Sequence, residues 1–322
     1  MLQLKNVFYN YPNQNYFKGV GPINLNLQKG QVLAIVGKSG SGKTSLIKCI
    51  YGLVDVLQGE VIFNNTKVLG PAYNLIPGHK SMSLVSQDFY VLDNHTVEEN
   101  ISDKLIGYTD EYKTQRINKL LKLLDLLPLR KTQSRFLSTG QKQRVAIGRA
   151  LAVIPPLMLL DEPFSNLDAI LNNKLFNFVI NEVKKNKTSV ILITHQTDEA
   201  LKYADEIAII DNGKINQIGK TLNVYYKPKN TKLAGLLGAY SIIHPEDLYK
   251  QSKSKLKSKT VVRPNQLKLI KTGVADIEGQ VNACFFNGKC FEILVNTPNN
   301  NEILIYHSSD IKIGTLIKLA II

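Results

Sequence analysis

The sequence predicts an α/β domain with a largely parallel sheet, an inserted helical subdomain, and a small all-β domain of barrel-like type at the C-terminal end. Three observations predict it. Short apolar runs of strand length, QVLAIV, LMLL, SVILIT and EIAII, recur between Gln31 and Ile210, each beside turn residues or polar groups, and several lead into helical spacing. From about Thr109 to Leu129 the pattern becomes leucine- and lysine-rich with helical periodicity, INKLLKLLDLL. Beyond Gly238, VNACFF and KCFEILV flank Asn287-Gly288, a dipeptide suited to a two-residue hairpin turn, and EILIYH and TLIKLAII follow. These changes set the limits at 1–235 for the α/β domain, with its helical subdomain at about 90–155, and 236–322 for the β domain. The polar, basic run KQSKSKLKSK reads as a linker or an exposed edge.

A chain of 322 residues, 44% hydrophobic and 20% charged, is globular in composition and long enough for one large domain and one small one. Its longest apolar stretch, Ala150 to Leu160, is broken by Pro155 and Pro156 and falls short of the roughly 20 residues of a membrane-spanning helix. The start MLQLKNVFYNYP lacks the basic, apolar and small-residue segments of a secretory signal, so the expected location is cytoplasmic. Cys49, Cys284 and Cys290 are too scattered for a disulfide framework or a zinc site. A net charge of +14 implies attraction to polyanions: nucleotides, nucleic acid or an anionic membrane face.

The first strand, QVLAIV, runs into Gly37-Lys38-Ser39-Gly40-Ser41-Gly42-Lys43-Thr44, and SLIKCIY continues with helical spacing. This is the P-loop pattern in its required strand–loop–helix setting. Glycines let the backbone curl so that successive N–H groups face phosphate oxygens, and the helix adds its positive end. Lys43 would reach the β- and γ-phosphates of ATP, and Thr44 would offer its hydroxyl to Mg²⁺. A second strand, PLMLLDEP, ends in Asp161 and Glu162, which strand alternation sends in different directions. Asp161 is thereby the candidate Mg²⁺ ligand and Glu162 the general base for an attacking water. A third, SVILIT, ends at Thr194-His195, where an imidazole can hold water or the γ-phosphate. Gln87, after SLVS, is an amide able to touch both Mg²⁺ and the water. Ser138-Thr139-Gly140-Gln141 opens the helix QKQRVAIGRALA with a capping box, and the same helix end is an anion site for a nucleotide held by another molecule.

Taken in order and spacing, GKSGSGKT, Gln87, LSTGQ, LMLLDEP, SNLD and Thr194-His195 resemble the ATPases of ABC transporters. The resemblance implies a P-loop ATPase cassette that pairs head to tail as a homodimer or paired cassette, each copy placing its Ser138-to-Gln141 turn over the other's ATP, with Asp168 near the junction. It implies that Tyr11 stacks on adenine, with Tyr9, Tyr16 and Phe17 as substitutes. It also implies that Phe89, Tyr90 and Leu92 dock an integral membrane permease, the alternative being that they pack into the core. Two positions depart from the family: Thr139 stands where glycine is usual, bringing a β-branched side chain near the expected γ-phosphate, and Gln196 stands where an acidic residue commonly follows the histidine.

The tail, VVRPNQLKL with Arg263 and Pro264 and the β segments after it, is similar to the OB-like C-terminal domain of binding-protein-dependent importer ATPases for polyamines, ferric iron, sugars or molybdate. That likeness implies solute import, an extracytoplasmic substrate-binding protein as an indirect partner, a place on the inner face of the cell membrane, and a regulatory role for the tail. Two rival readings remain on the residues. One is a soluble ATPase acting on nucleic acid, favoured by the basic charge; it is disfavoured by the lack of coiled coils, of a second cassette and of an aromatic–basic platform, since Phe285, Phe286, Phe291 and Tyr306 read more easily as core, and no nucleic-acid partner is expected. The other is a regulatory module that no longer hydrolyses ATP, opposed by intact Lys43, Asp161, Glu162 and His195.

Overall fold

The fold is that of a computed structural model describing residues 1–12, 19–86, 90–164, 167–249, 252 and 256–322. It divides into two compact units, Met1–Thr221 and Leu222–Ile322. In chain order the first holds β1 (Leu2–Asn10), β2 (Gly19–Leu27), β3 (Val32–Val36), α1 (Lys43–Tyr51), β4 (Gln58–Phe63), β5 (Thr66–Lys67) and β6 (Met82–Val85). The helices α2 (Val97–Ser102), α3 (Asp110–Leu123) and α4 (Thr139–Ala152) follow, then β7 (Leu157–Asp161), α5 (Ala169–Asn186), β8 (Ser189–Ile193), α6 (Thr197–Tyr203), β9 (Glu206–Asp211) and β10 (Lys214–Lys220).

The central sheet runs β10-β9-β3-β8-β7-β6, parallel except for β10. Every residue of β3, β7 and β8 is buried, as unbroken apolar runs require in a parallel sheet covered on both faces. Alternate residues serve opposite cores. Val32, Met158, Leu160, Val190 and Leu192 join the core that holds the helical insertion and α5. Leu33, Ile35, Leu157, Leu159, Ile191 and Ile193 join the core shared with α1 and an antiparallel sheet of order β2-β1-β4-β5. The loops that carry the candidate residues read from sequence follow β3, β7 and β8, three neighbours in the sheet, so their carboxyl ends open on one crevice.

Among the described residues between β6 and β7 the named elements are all helical, in agreement with the leucine-rich pattern. Asn100, fully buried, organises this insertion. Its Nδ2 donates to the carbonyls of Leu92 (3.0 Å), His95 (3.2 Å) and Thr96 (3.0 Å) and to Ser134 Oγ (2.9 Å), while its Oδ1 accepts from Leu92 N (2.8 Å) and Arg149 Nη1 (3.1 Å). Buried polar groups satisfied to this degree fix one arrangement of the segments they join.

The second unit begins with α7, which starts at the boundary residue (Thr221–Tyr226), and continues with α8 (Thr231–Gly235), β11 (Ser241–Ile243), β12 (Thr260–Val262), β13 (Leu267–Ile270), β14 (Ile277–Phe286), β15 (Phe291–Asn296), β16 (Glu302–His307) and β17 (Leu316–Ile321). Its main sheet is antiparallel, in the order β13-β17-β14-β15-β16, beside a β11-β12 pair. The unit starts at Leu222, earlier than the 235/236 boundary expected from sequence, and Arg263 supplies a physical reason. Its buried guanidinium donates to the carbonyls of Tyr225 (2.9 Å), Ala234 (3.1 Å), Gly238 (2.9 Å) and Ala239 (3.0 Å), tying α7 and α8 to the β strands. Half of the KQSKSKLKSK run lies outside the described residues.

Two local expectations change. The β14–β15 loop centres on Gly288-Lys289 instead of Asn287-Gly288: Phe286 pairs with Phe291, Asn287 N donates to Cys290 O (3.1 Å), and Gly288 takes the positive φ of 88°. Asn287 instead closes the turn with its side chain, its Oδ1 accepting from Lys289 N and Cys290 N (both 3.0 Å). Phe285 and Phe286 are also not core. They are 58% and 65% exposed, because the hairpin carries them past the end of the unit's apolar cluster, and Tyr306, also expected in the core, is 37% exposed.

Candidate functional site

Glycine is required at both ends of the loop after β3. A Cβ on Gly37 would sit 2.2 Å from Ile210 O, and one on Gly42, whose φ is 103°, would sit 2.7 Å from Val20 Cγ1. Gly40 differs: its φ of 75° also favours glycine, but nothing lies within 4 Å of its would-be Cβ. The loop is thus clamped at its ends and open at its middle, beside Lys38 and Ser39. Ser41 N donates to Lys38 O (3.2 Å) and Ser41 O accepts from Gly213 N (3.0 Å), which sets the curl. Ser41 Oγ is buried without a hydrogen-bond partner among the described residues.

Lys43 opens α1 and is 7% exposed. Its ammonium donates to the carbonyls of Gly37 (2.9 Å) and Lys38 (3.0 Å), with no ion pair among the described residues. Burial lowers its pKa, against the nearby charges of Glu162 and Asp161. An orphaned hydroxyl and a buried cation on one Gly-rich loop match what a polyphosphate offers: acceptor oxygens and negative charge.

Asp161 is the last residue of β7 and is buried. Desolvation raises its pKa, opposed by a hydrogen bond from the Thr44 hydroxyl and by the charge of Lys43, and reinforced by Glu162. Glu162 parts from it through more than strand alternation. The strand has ended, and Glu162 takes a left-handed conformation, φ 48°, with its N–H donating to Ile193 O on β8 (3.0 Å). A non-glycine residue held there is strained, and such strain is found where function needs it. His195 follows β8, is 57% exposed, and brings Nδ1 to 3.4 Å from Glu162 Oε2. Thr44, Lys43, Asp161, Glu162 and His195 therefore converge.

Tyr11 is half-buried, its hydroxyl accepting from Ser45 Oγ (3.2 Å), which places it behind the same loop, and Tyr9 packs edge-on to it. Tyr9 itself is core, while Tyr16 and Phe17 lie outside the described residues, as do Gln87, Phe89, Ser165 and Asn166. Ser138 and Gln141 form the expected capping box, with Ser138 Oγ accepting from Gln141 N (3.3 Å) and Gln141 Oε1 from Ser138 N (2.9 Å). Thr139 is exposed beside it, and Gly140 has open space around it. Asp168 caps α5, accepting from Ile170 N (3.1 Å) and Leu171 N (2.9 Å). These residues form local groups of their own. Tyr90 is 71% exposed, its ring facing the Arg149 guanidinium, and Leu92 is half-buried.

Sequence reasoning misses Asn100, Arg149, Gln143 and Glu199. Gln143 is fully buried on α4, and its Nε2 donates to Pro163 O (3.1 Å), bracing the turn that carries Glu162. The available signal is a polar residue on the buried face of an otherwise apolar helix, which Gln143 and Arg149 both are.

Residues 20–165 match the family described as ABC transporter. The Fe(3+) ions import ATP-binding protein FbpC 2 of Haemophilus influenzae is 34% identical over 315 residues, covering 91% of this chain and 88% of the relative. The spermidine/putrescine import ATP-binding protein PotA of Clostridium novyi is 31% identical over 340 residues, covering 100% and 95%. Among solved structures, the dimeric ATP-binding cassette MJ0796 bound to ADP and Pi aligns with a TM-score of 0.61 and 27% identity, over 69% of this chain and 99% of that one. Likeness that runs the length of both chains and takes in the phosphate loop makes this chain a member of the ABC transporter family, in the class of its ATP-hydrolysing subunits.

Proposed function

We propose that the chain powers solute import: two copies close on ATP and hydrolyse it, and the motion drives a separate membrane permease from the inner face of the cell membrane. The observation that carries the hydrolytic reading is the Glu162–His195 pair, 3.4 Å apart beside a buried lysine and a buried aspartate. Glu162 accepts the proton of the attacking water, and His195 fixes the γ-phosphate side of the same crevice. Lys43, the loop N–H groups and Ser41 Oγ bind the phosphates, and Tyr11 stacks on adenine.

The residues fit Mg²⁺. Thr44 and Asp161 offer oxygen donors already hydrogen-bonded to each other, with Gln87 as the third candidate, and a cation would neutralise the carboxylate that burial disfavours. When bound, the ion offsets charge on the phosphates. Ser138, Thr139, Gly140 and Gln141 reach the ATP of the paired cassette, with Asp168 at the junction; the dimeric state of MJ0796 supports that pairing. Phe89, Tyr90 and Leu92 meet the permease, and the exposure of Tyr90 favours docking over core packing. Import and an indirect extracytoplasmic binding protein rest on the names of the relatives.

The deciding experiment is steady-state Mg-ATP hydrolysis by wild type and Glu162→Gln, with oligomeric state followed by light scattering. The substitution removes the base and keeps the phosphate contacts, so turnover should fall at least 100-fold while ATP traps a dimer. Normal hydrolysis by Glu162→Gln would overturn the assignment.

A further inference from the structure

Glu199 lies outside the motifs above, yet its carboxylate joins two of them. On α6, half-buried, it accepts from Thr194 Oγ1 at 2.6 Å through Oε2 and from Asn172 Nδ2 at 2.9 Å through Oε1. Thr194 Oγ1 in turn accepts from Gln196 N at 3.0 Å, and Glu199 N donates to Gln196 O at 3.2 Å. His195 is thus spanned by a closed ring of hydrogen bonds, from Thr194 through Glu199 to Gln196. The ring's other tie leads elsewhere. Asn172 stands one turn into α5, and its N–H donates to the carbonyl of Asp168, the residue that caps that helix.

His195 is more than half exposed, so side-chain packing does little to fix its imidazole; the turn on which it stands must do so. Bonds to an ionised carboxylate are the stronger kind, and Thr194 is 2% exposed, so removing Glu199 would leave a buried hydroxyl without its acceptor. We infer that Glu199 is a positioning residue for ATP hydrolysis, holding the His195 turn against Glu162 and linking that turn through Asn172 to the Asp168 end of α5. Displacement of the Asp168 end, where the paired cassette is expected, is thereby passed to the imidazole. The inference rests on the reading of Glu162 and His195 as hydrolytic residues. Misplacing a group by about 1 Å can cost on the order of 100-fold in rate.

The test compares Glu199→Ala, Thr194→Val, Glu199→Gln and Asn172→Ala in the full chain, with Glu162→Gln and His195→Ala as controls. Each is assayed for kcat and KM for Mg-ATP and for the fraction of chains that binds a fluorescent ATP analogue. Glu199→Ala and Thr194→Val should lower kcat tenfold or more, with KM within twofold and the binding fraction unchanged. Glu199→Gln keeps an acceptor oxygen for Thr194 and should stay within about threefold of wild type. Asn172→Ala should lower kcat alone and add less than twofold to Glu199→Ala. If Glu199→Ala keeps kcat within twofold of wild type while His195→Ala is inactive, the inference is wrong and the site reading stands. A fall in kcat matched by an equal fall in binding fraction also overturns it, leaving a structural role only. Normal turnover by both controls would overturn the site reading and this inference together.

Discussion

Burying the Asp161 carboxylate works against the fold. Its pKa is raised by desolvation, so the folded chain holds the proton more tightly than the unfolded chain does; stability linked to this group is full below the ordinary aspartate range and declines as pH rises through the folded value. At neutral pH the charge is a net loss, and Asp161→Asn should remove it. Calorimetry at pH 7 without nucleotide should show Asp161→Asn melting a few degrees higher, about 1 kcal/mol corresponding to roughly 2–4 °C in a domain of this size. Hydrolysis should be lost in the same variant, an exchange of stability for chemistry common at active sites. A lower midpoint would contradict the burial argument. Residues of this kind were legible in sequence because their chemistry is written contiguously: GKSGSGKT and LMLLDEP carry both the strand and the group at its end. Asn100 was not legible, since its partners Leu92, Ser134 and Arg149 are far apart along the chain and no spacing rule joins them. The left-handed turn at Glu162 was hidden for another reason: nothing in a glutamate followed by proline announces a positive φ.

Among the elements, one acid helps tie two helices of the insertion together. Glu98 of α2 pairs with Arg130 through both carboxylate oxygens and with Lys131 (2.8 Å), and Arg130 Nη1 also donates to Asn118 Oδ1 on α3 (2.8 Å). The Arg130 hydrogen bond leads the causes that hold the Glu98 pKa down to about 2, below its ordinary 4.5. A depressed value means that the stability it contributes is present above about pH 4.5 and is lost as pH falls toward 2. Glu98→Gln should therefore flatten the acid limb of stability between those values, read by urea denaturation at stepped pH; an unchanged limb would show that the pair contributes nothing. Helix existence in this region was readable from leucine spacing, whereas this tie between α2 and α3 was not. In the β unit the hairpin was foreseen and its centre missed by one residue, because Asn287 serves as a side-chain acceptor where a turn dipeptide was expected.

For the whole molecule, division into two compact units predicts separate melting. The second unit has its own core of Ile243, Val262, Ile277, Ile293, Ile305 and Leu319, and the residues proposed to bind nucleotide all belong to the first. Differential scanning calorimetry of Glu162→Gln should resolve two transitions, of which Mg-ATP raises only the one belonging to Met1–Thr221. A single transition that shifts as one would reject this. The same net charge of +14 that left nucleic acid open as a partner suits a chain whose ligand is a polyphosphate. Strand order has one more consequence, for synthesis on the ribosome. β8 lies between β3 and β7 in the sheet yet is made after both, so the phosphate loop and the acidic turn must wait, unjoined, for the strand that separates them. At usual elongation speeds of about 5–20 residues per second, the roughly 30 residues from the end of β7 to the end of β8 take about 1.5–6 s to emerge. Through that interval the nascent chain carries a slot in its sheet, lined by two buried apolar strands, that only its own residues 189–193 are shaped to fill.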